Sequence, residues 1–297
     1  MANIINVEFI EKYSKLCPEN VAISKGIDVN DLRQRAIYAY NILHPYNPIK
    51  LITYQDVIDW WRKQHFETID DFMNVLENYQ VVFTVNSNAI EDINVSYHTT
   101  REIYEEGDVS NFSGSFTDLL SVWNQKAAFN KIFQALINKQ PITVDFICDL
   151  HKCLLHGCYD QKRWNKGERP GTFKKHDYVV GLTDEGSLPN DVLNDLLDLL
   201  DEVTSFSSAD NSKYYTSAAY FHCKFEQIHP FADGNGRLGR LLLNYYLMLN
   251  NLPPIVIPNE DKSTYYLALE VFDRTGELDG FVKFLKEQTV STWQNVV

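Results

Sequence analysis

The chain has 297 residues, with 27 Lys and Arg against 40 Asp and Glu, a formal charge of −13 and a pI near 5.0. That balance excludes a protein whose main business is gripping nucleic acid phosphates or an anionic membrane, because both need a net or locally dense cationic face. With 44% hydrophobic and 23% charged residues, the chain can bury a sizeable core in one large or two modest domains, which excludes general disorder.

No apolar run approaches the roughly 20 residues that span a bilayer, and the opening Met-Ala-Asn-Ile-Ile-Asn-Val-Glu lacks the basic-then-apolar order of a secretory signal. The expected compartment is cytoplasmic. Five cysteines is an odd number, so they cannot all pair within the chain. Cys148, Cys153 and Cys158 alternate with His151 and His156. A step of five turns about 140° on a helix, so these side chains diverge and read as small buried groups rather than a metal site.

Helical periodicity dominates, and the predicted fold class is mainly α. Apolar residues at spacings of three and four predict helices over Asp31–Leu43, Tyr54–Val82 and Phe116–Ile137, with turn signals at 44–48 and 139–141. Thr143–His156 follows. In Pro189–Val203, Val192, Leu193, Leu196, Leu197 and Leu200 form one stripe, and Asp191, Asp195, Asp198 and Glu202 form a solvated one. After a polar loop at Ser205–Asn211 come helices at Lys213–Gln227, Asn235–Asn250, Lys262–Phe272 and Leu278–Thr289. The exception is Arg169–Leu182, where a Pro-Gly turn leads to Tyr178-Val179-Val180 and Gly181. It reads as a short β-hairpin flap, too small to stand unless packed on helices. The absence of a long-period repeat argues against a solenoid.

Glycine is scarce, at 13 residues, yet Gly234, Gly236 and Gly239 fall within six positions of Ile228–Arg240, IHPFADGNGRLGR. A loop that turns several backbone N–H groups onto one anion needs residues without a Cβ, and a helix starting directly afterwards adds its free amides and positive dipole end. Gly234-Asn235-Gly236 therefore reads as a phosphate cradle. Arg237 and Arg240, three apart, share a face toward it. Two arginines at a helix N-terminus oppose the dipole, a placement that makes sense when a polyphosphate supplies the charge between them. Asp233 offers a hard oxygen for Mg²⁺, and His229 could take a proton from an attacking hydroxyl. Each piece alone is a turn, a helix stop or a solvated pair; together they occupy fixed offsets over a dozen residues.

These residues resemble the Fic family, whose signature H-x-F-x-[D/E]-G-N-G-R-x-x-R is met in full by His229 to Arg240. The likeness extends through Asp149–Gly157, the flap, Ala218–Ile228, Asn251–Pro258 and Tyr265-Tyr266. The resemblance implies a helical Fic core that transfers AMP from Mg²⁺ and ATP to a Ser, Thr or Tyr hydroxyl of a target protein. His229 would be the base, Asp233 the Mg²⁺ ligand, and Gly234, Asn235 and Gly236 the anion hole. Arg237 would hold the α and β phosphates and Arg240 the γ phosphate. Tyr265 and Tyr266 would wall the adenine, although paired tyrosines serve equally well as core. A kinase-type variant carries lysine at the second glycine, so Gly236 points to nucleotidyl transfer.

Many family members also carry an inhibitory helix, [S/T]-x-x-x-E-[G/N], which Ser87-Asn88-Ala89-Ile90-Glu91-Asp92 resembles except at Asp92. Ser87 and Glu91 share a helical face, so Glu91 could pair with Arg240 and deny ATP its γ-phosphate clamp. The resemblance further implies that the flap, through Thr172, Phe173, Tyr178, Val179 and Val180, receives a target segment by strand addition. Lys174 stands where an arginine is common. The expected organisation is a helical region of unassigned role over 1–79, the inhibitory segment over 80–105 and the Fic core over 106–297. Expected partners are ATP and a target protein, which includes the chain itself, with neither nucleic acid nor membrane; a homo-oligomer is left open. Two alternatives stand beside transfer: an enzyme that also or mainly removes AMP using Glu91, and a non-catalytic nucleotide-sensing module.

Overall fold

The computed structural model describes residues 52–109, 111–180, 184–205 and 211–297. The helix predicted at Asp31–Leu43, the turn after it, Gly181 and Leu182 of the flap, and most of the Ser205–Asn211 loop lie outside the described residues. Tyr54–Val297 gathers into one compact unit.

Its helices are α1 (Tyr54–Trp61), α2 (Ile69–Ile90), α3 (Tyr97–Glu105), α4 (Phe116–Ile137), α5 (Val144–Leu154), α6 (Gln161–Asn165), α7 (Val192–Thr204), α8 (Asn211–Ile228), α9 (Asn235–Leu249), α10 (Lys262–Thr275) and α11 (Asp279–Trp293). The centre is the pair α8 and α9. Leu238, Leu241, Leu242, Leu243, Tyr245 and Leu247 of α9 are wholly buried, the signature of a helix enclosed on all sides. From α8, Ser217 shares a hydrogen bond with the Tyr246 hydroxyl of α9 at 2.6 Å, and the Phe221 ring packs 5.6 Å from the Tyr246 ring.

One predicted helix is two. The expectation over Tyr54–Val82 divides at 62–68, where Phe66 folds back onto Trp61, with ring centroids 4.6 Å apart, and stacks on Phe72 at 4.4 Å. Thr68 then opens α2 with a capping box: its side chain accepts from the Asp71 N–H, and the Asp71 carboxylate accepts from the Thr68 N–H at 2.7 Å. That reciprocal cap satisfies two otherwise free amides. α2 runs on to Ile90, unbroken through residue 79, and so carries Ser87 into the core. The short helices α3 and α6 were not expected from periodicity; each is opened by a capping side chain, Ser96 and Asp160.

Between α6 and α7 the chain forms a small antiparallel ladder, Val179 opposite Glu185 and Val180 opposite Asp184. Residues 169–178, which begin the predicted flap, carry no ladder. Their order comes instead from the buried carboxylate of Glu168, which accepts from the Lys175 N–H, from His176 Nδ1 at 2.8 Å and from the Tyr178 hydroxyl at 3.1 Å. No helix among the described residues is long and apolar enough to cross a membrane.

Candidate active site

The link from α8 to α9 is held in an unusual backbone. His229 has φ +50°, a left-handed conformation that costs an L-residue roughly 1–2 kcal/mol. It persists because its neighbours are bonded: His229 N–H donates to Phe225 O at 3.1 Å, Lys174 N–H to Pro230 O at 2.9 Å and Ser187 N–H to Ile228 O at 3.0 Å. Phe231, wholly buried, stacks on His151 with centroids 3.7 Å apart. The Asn235 side chain clips the Phe231 main chain at both ends, accepting from its N–H at 2.9 Å and donating to its carbonyl at 2.8 Å. Asn235 therefore has only its backbone to offer a phosphate. Gly234 adopts φ +80°, and a Cβ there would stand 2.5 Å from Leu155 Cδ2, so no other residue fits. No side chain caps the first turn of α9, which leaves its free amides to an anion.

Arg240 is 2% exposed and tied to α2. Its Nη2 donates to Glu91 Oε1 at 2.8 Å and to the Ser87 carbonyl at 2.8 Å, and its Nε donates to Ser87 Oγ at 3.1 Å. Nη1 is buried without a partner. Burial alone would push the Glu91 carboxyl up, but the Arg240 guanidinium overrides it and holds Glu91 below the usual carboxylate range. The same pairing raises Arg240 against its own burial. Arg237 is bound to α2 at one remove: its Nη1 donates to Ser121 Oγ at 3.2 Å, and Ser121 donates to Asn88 Oδ1 at 2.8 Å. Arg237 Nε and Asn88 Nδ2 are also buried without partners. Of these unpaired donors Arg240 Nη1 stands at the cradle, 3.0 Å from where a Cβ on Gly236 would be, and is a group that a polyanion would satisfy.

The end of α2 explains the departure at Asp92. Ile93 N–H donates to Asn88 O and Asp92 N–H to Ala89 O, the two bonds of a Schellman cap, and Asp92 sits at φ +59°. Gly or Asn suits that position because each tolerates the left-handed region, and Asp does so at a cost.

Asp233 is one-third exposed, with its Oδ2 3.2 Å from Arg163 Nη2 and its Oδ1 3.7 Å from Arg237 Nη2. A single accessible carboxylate fits Mg²⁺, which takes one or two carboxylates and completes its shell with phosphate oxygens and water. Among the described residues no group of three His, Cys, Asp or Glu is gathered for a metal. His151 fixes Asp233 from behind. Gly171 N–H donates to its Nδ1 at 2.7 Å, so the ring proton is on Nε2 and donates to Asp233 O at 2.9 Å. Burial drives His151 down to about 3 and keeps it neutral.

The His229 imidazole is half-buried and lowered to about 4, first by burial and then by the charge of Lys174, so it is an unprotonated base at neutral pH. Lys174 is 2% exposed, and its Nζ donates to Ile228 O at 3.4 Å. Tyr265 and Tyr266 divide. Tyr265 is core, bonding His222 at 2.8 Å with its ring 6.0 Å from the Arg240 guanidinium, whereas Tyr266 is 42% exposed and offers a free face. Of the flap residues, Thr172 is exposed and turned onto Arg169 O, Phe173 packs 5.8 Å from Phe231, and Tyr178 is fastened to Glu168. Sequence reasoning passed over Ser121, Arg163, Glu168 and Glu226. The Glu226 carboxyl is raised to about 8, first by burial, with Glu91 and Asp273 adding to it. A carboxylate four residues after His222 on an otherwise apolar helix face was the available signal.

Residues 141–247 match the family model described as Fic/DOC family. Among curated proteins, protein adenylyltransferase Fic of Drosophila persimilis is 33% identical over 168 residues, 56% of this chain and 30% of that protein. Protein adenylyltransferase fic-1 of Caenorhabditis elegans is 27% identical over 235 residues, 78% and 44% respectively. The chain thus spans less than half the length of these relatives. A solved Fic domain containing signaling protein from Bacteroides thetaiotaomicron superposes with TM-score 0.68 at 23% identity, covering 81% of this chain and 94% of that one. A fragment of Fic-1 from C. elegans superposes with TM-score 0.65 at 24% identity, covering 82% and 69%. The helical architecture is the one these structures share, and the stretch of the chain that is similar to the Fic/DOC family is residues 141–247.

Proposed function

We propose that the chain is a protein adenylyltransferase restrained by its own α2. His229, neutral at pH 7, takes the proton of a target Ser, Thr or Tyr hydroxyl; the oxygen forms a bond to the α-phosphorus of ATP as the bond to pyrophosphate breaks. The α9 amides, Arg237 and Arg240 stabilise the charge that grows on the phosphoryl oxygens. Mg²⁺, held by Asp233 and the nucleotide, would supply further neutralisation of that charge. Tyr266 would flank the base. The ladder and the Thr172–Val180 segment would receive the target chain by main-chain pairing. Domain roles follow: 80–105 as the restraint, 106–297 as the catalytic core and 1–79 unassigned.

The observation that carries this reading is the Arg240–Glu91 pair at 2.8 Å inside a complete signature loop. A carboxylate in that position occupies the guanidinium that the γ phosphate would need. The same carboxylate lies against Gly236, which favours a second activity, with Glu91 orienting water for removal of AMP from a modified target. Mass spectrometry of Glu91→Gly protein, expressed with and without His229→Ala, tests the transfer. A gain of one AMP on a hydroxyl, dependent on His229, supports it; ATP-dependent stabilisation with no covalent product would favour the nucleotide-sensing module. Release of AMP from a pre-modified target by the unsubstituted chain, lost in Glu91→Gly, supports the second activity.

A further inference from the structure

The segment before the ladder and the segment after it both fasten onto the residues flanking His229. Lys174 donates its main-chain N–H to Pro230 O at 2.9 Å and its ammonium to Ile228 O at 3.4 Å, while Ser187 N–H reaches Ile228 O at 3.0 Å. Between them lies Gly186. A Cβ on Gly186 would stand 2.8 Å from both His229 Cβ and Lys174 Nζ, so the ammonium and the imidazole stem share the space of one methyl group. Burying an ammonium at 2% exposure is costly, and an aliphatic side chain would pack there without that cost. A charge retained under these conditions calls for a use.

We propose that Lys174 is a positioning residue for His229: it grips the carbonyls on both sides of the imidazole and stands its positive charge beside the imidazole stem. The grip holds the left-handed backbone that aims the ring, and the charge opposes a second positive charge on it. The charged groups acting on the ring are Lys174 from the flap, which lowers its proton affinity after burial does, and Glu91 from α2, which raises it. With Glu91 withdrawn and no nucleotide bound, Lys174 is the charge that still acts on the base among the described residues. The inference rests on the transfer reading for its catalytic meaning, but the relation between Lys174 and His229 can be measured without turnover.

The test uses the full chain with ¹³C-labelled histidine, the His229 ring signal being assigned by its loss in His229→Asn. In Lys174→Gln, which can still donate to Ile228 O but carries no charge, and in Lys174→Met, the protonated fraction of His229 at about pH 5.5 should rise severalfold, as expected for removing a neighbouring charge. Lys174→Arg should leave it unchanged. In the Glu91→Gly background the acid limb of label transfer should move to higher pH in the same two variants. An unchanged His229 titration in folded Lys174→Gln overturns the inference. Absence of transfer by Glu91→Gly itself would overturn the enzymatic reading while leaving the ring titration to decide the role of Lys174.

Discussion

The carboxylate of Glu91 rests on Gly236. A methyl group added to Gly236 would overlap Glu91 Oε1 and stand 3.0 Å from Arg240 Nη1. Gly236 therefore does two things: it leaves the cradle open and it gives the restraining carboxylate its seat. On helix propensity alone Gly236→Ala should stabilise by about 1 kcal/mol. With Glu91 in place it should instead destabilise by about 1–3 kcal/mol, the usual cost of overpacking. In the Glu91→Gly background the penalty should vanish. Urea midpoints for the four proteins of this double-mutant cycle measure the coupling; additive effects would place Glu91 elsewhere.

Ser121 joins Arg237 to Asn88, and so ties the second arginine to α2. Ser121→Ala should cost about 1–2 kcal/mol by leaving the Arg237 Nη1 donor and the Asn88 Oδ1 acceptor unmet and should raise basal transfer several-fold. It should add little once Glu91→Gly has already freed the helix. Label incorporation in the single and double variants checks this.

Asp92 holds a left-handed cap with a side chain that is 90% exposed, and its pair with Lys262 at 3.2 Å is open to solvent and worth little. Asp92→Gly should therefore stabilise the chain by about 0.5–1 kcal/mol and lower basal transfer, because the Glu91 end of α2 frays less. Thermal unfolding and label incorporation on the same preparation test both halves.

His151 and His222 are buried and held near 3, in each case mainly by burial. The unfolded chain takes up these protons near pH 6.5 and the folded chain does not, so stability falls as pH drops from about 6.5 toward 3. Each ring contributes up to about 1.4 kcal/mol per pH unit across that window. Urea midpoints at pH 7 and pH 5 should differ accordingly, with no such loss between pH 7 and pH 8.

What could be read from sequence follows from what is local. The glycines, the helix start and the arginine spacing of 234–240 are written within about two turns of helix. The split of Tyr54–Val82 at Phe66 depends on a ring folding back onto Trp61, which periodicity does not register. Ser121 and Arg237 are 116 residues apart and meet only because α4 and α9 both pack beside α2. Tyr265 looks from sequence like its neighbour Tyr266, yet one lies under Arg240 and the other faces solvent. The Asp92 departure acquires a meaning only once its φ is known.

The central claim is that Glu91 withholds Arg240 from the nucleotide. Transfer of label from α-labelled and γ-labelled ATP by the full chain, by Glu91→Gly and by Glu91→Gly with His229→Ala tests it most directly. The account predicts a rise of roughly 5- to 150-fold in α-label transfer on Glu91→Gly, the span of a coupling of about 1–3 kcal/mol. It also predicts no γ-label and no transfer without His229. Equal α-label transfer with and without Glu91 would contradict it.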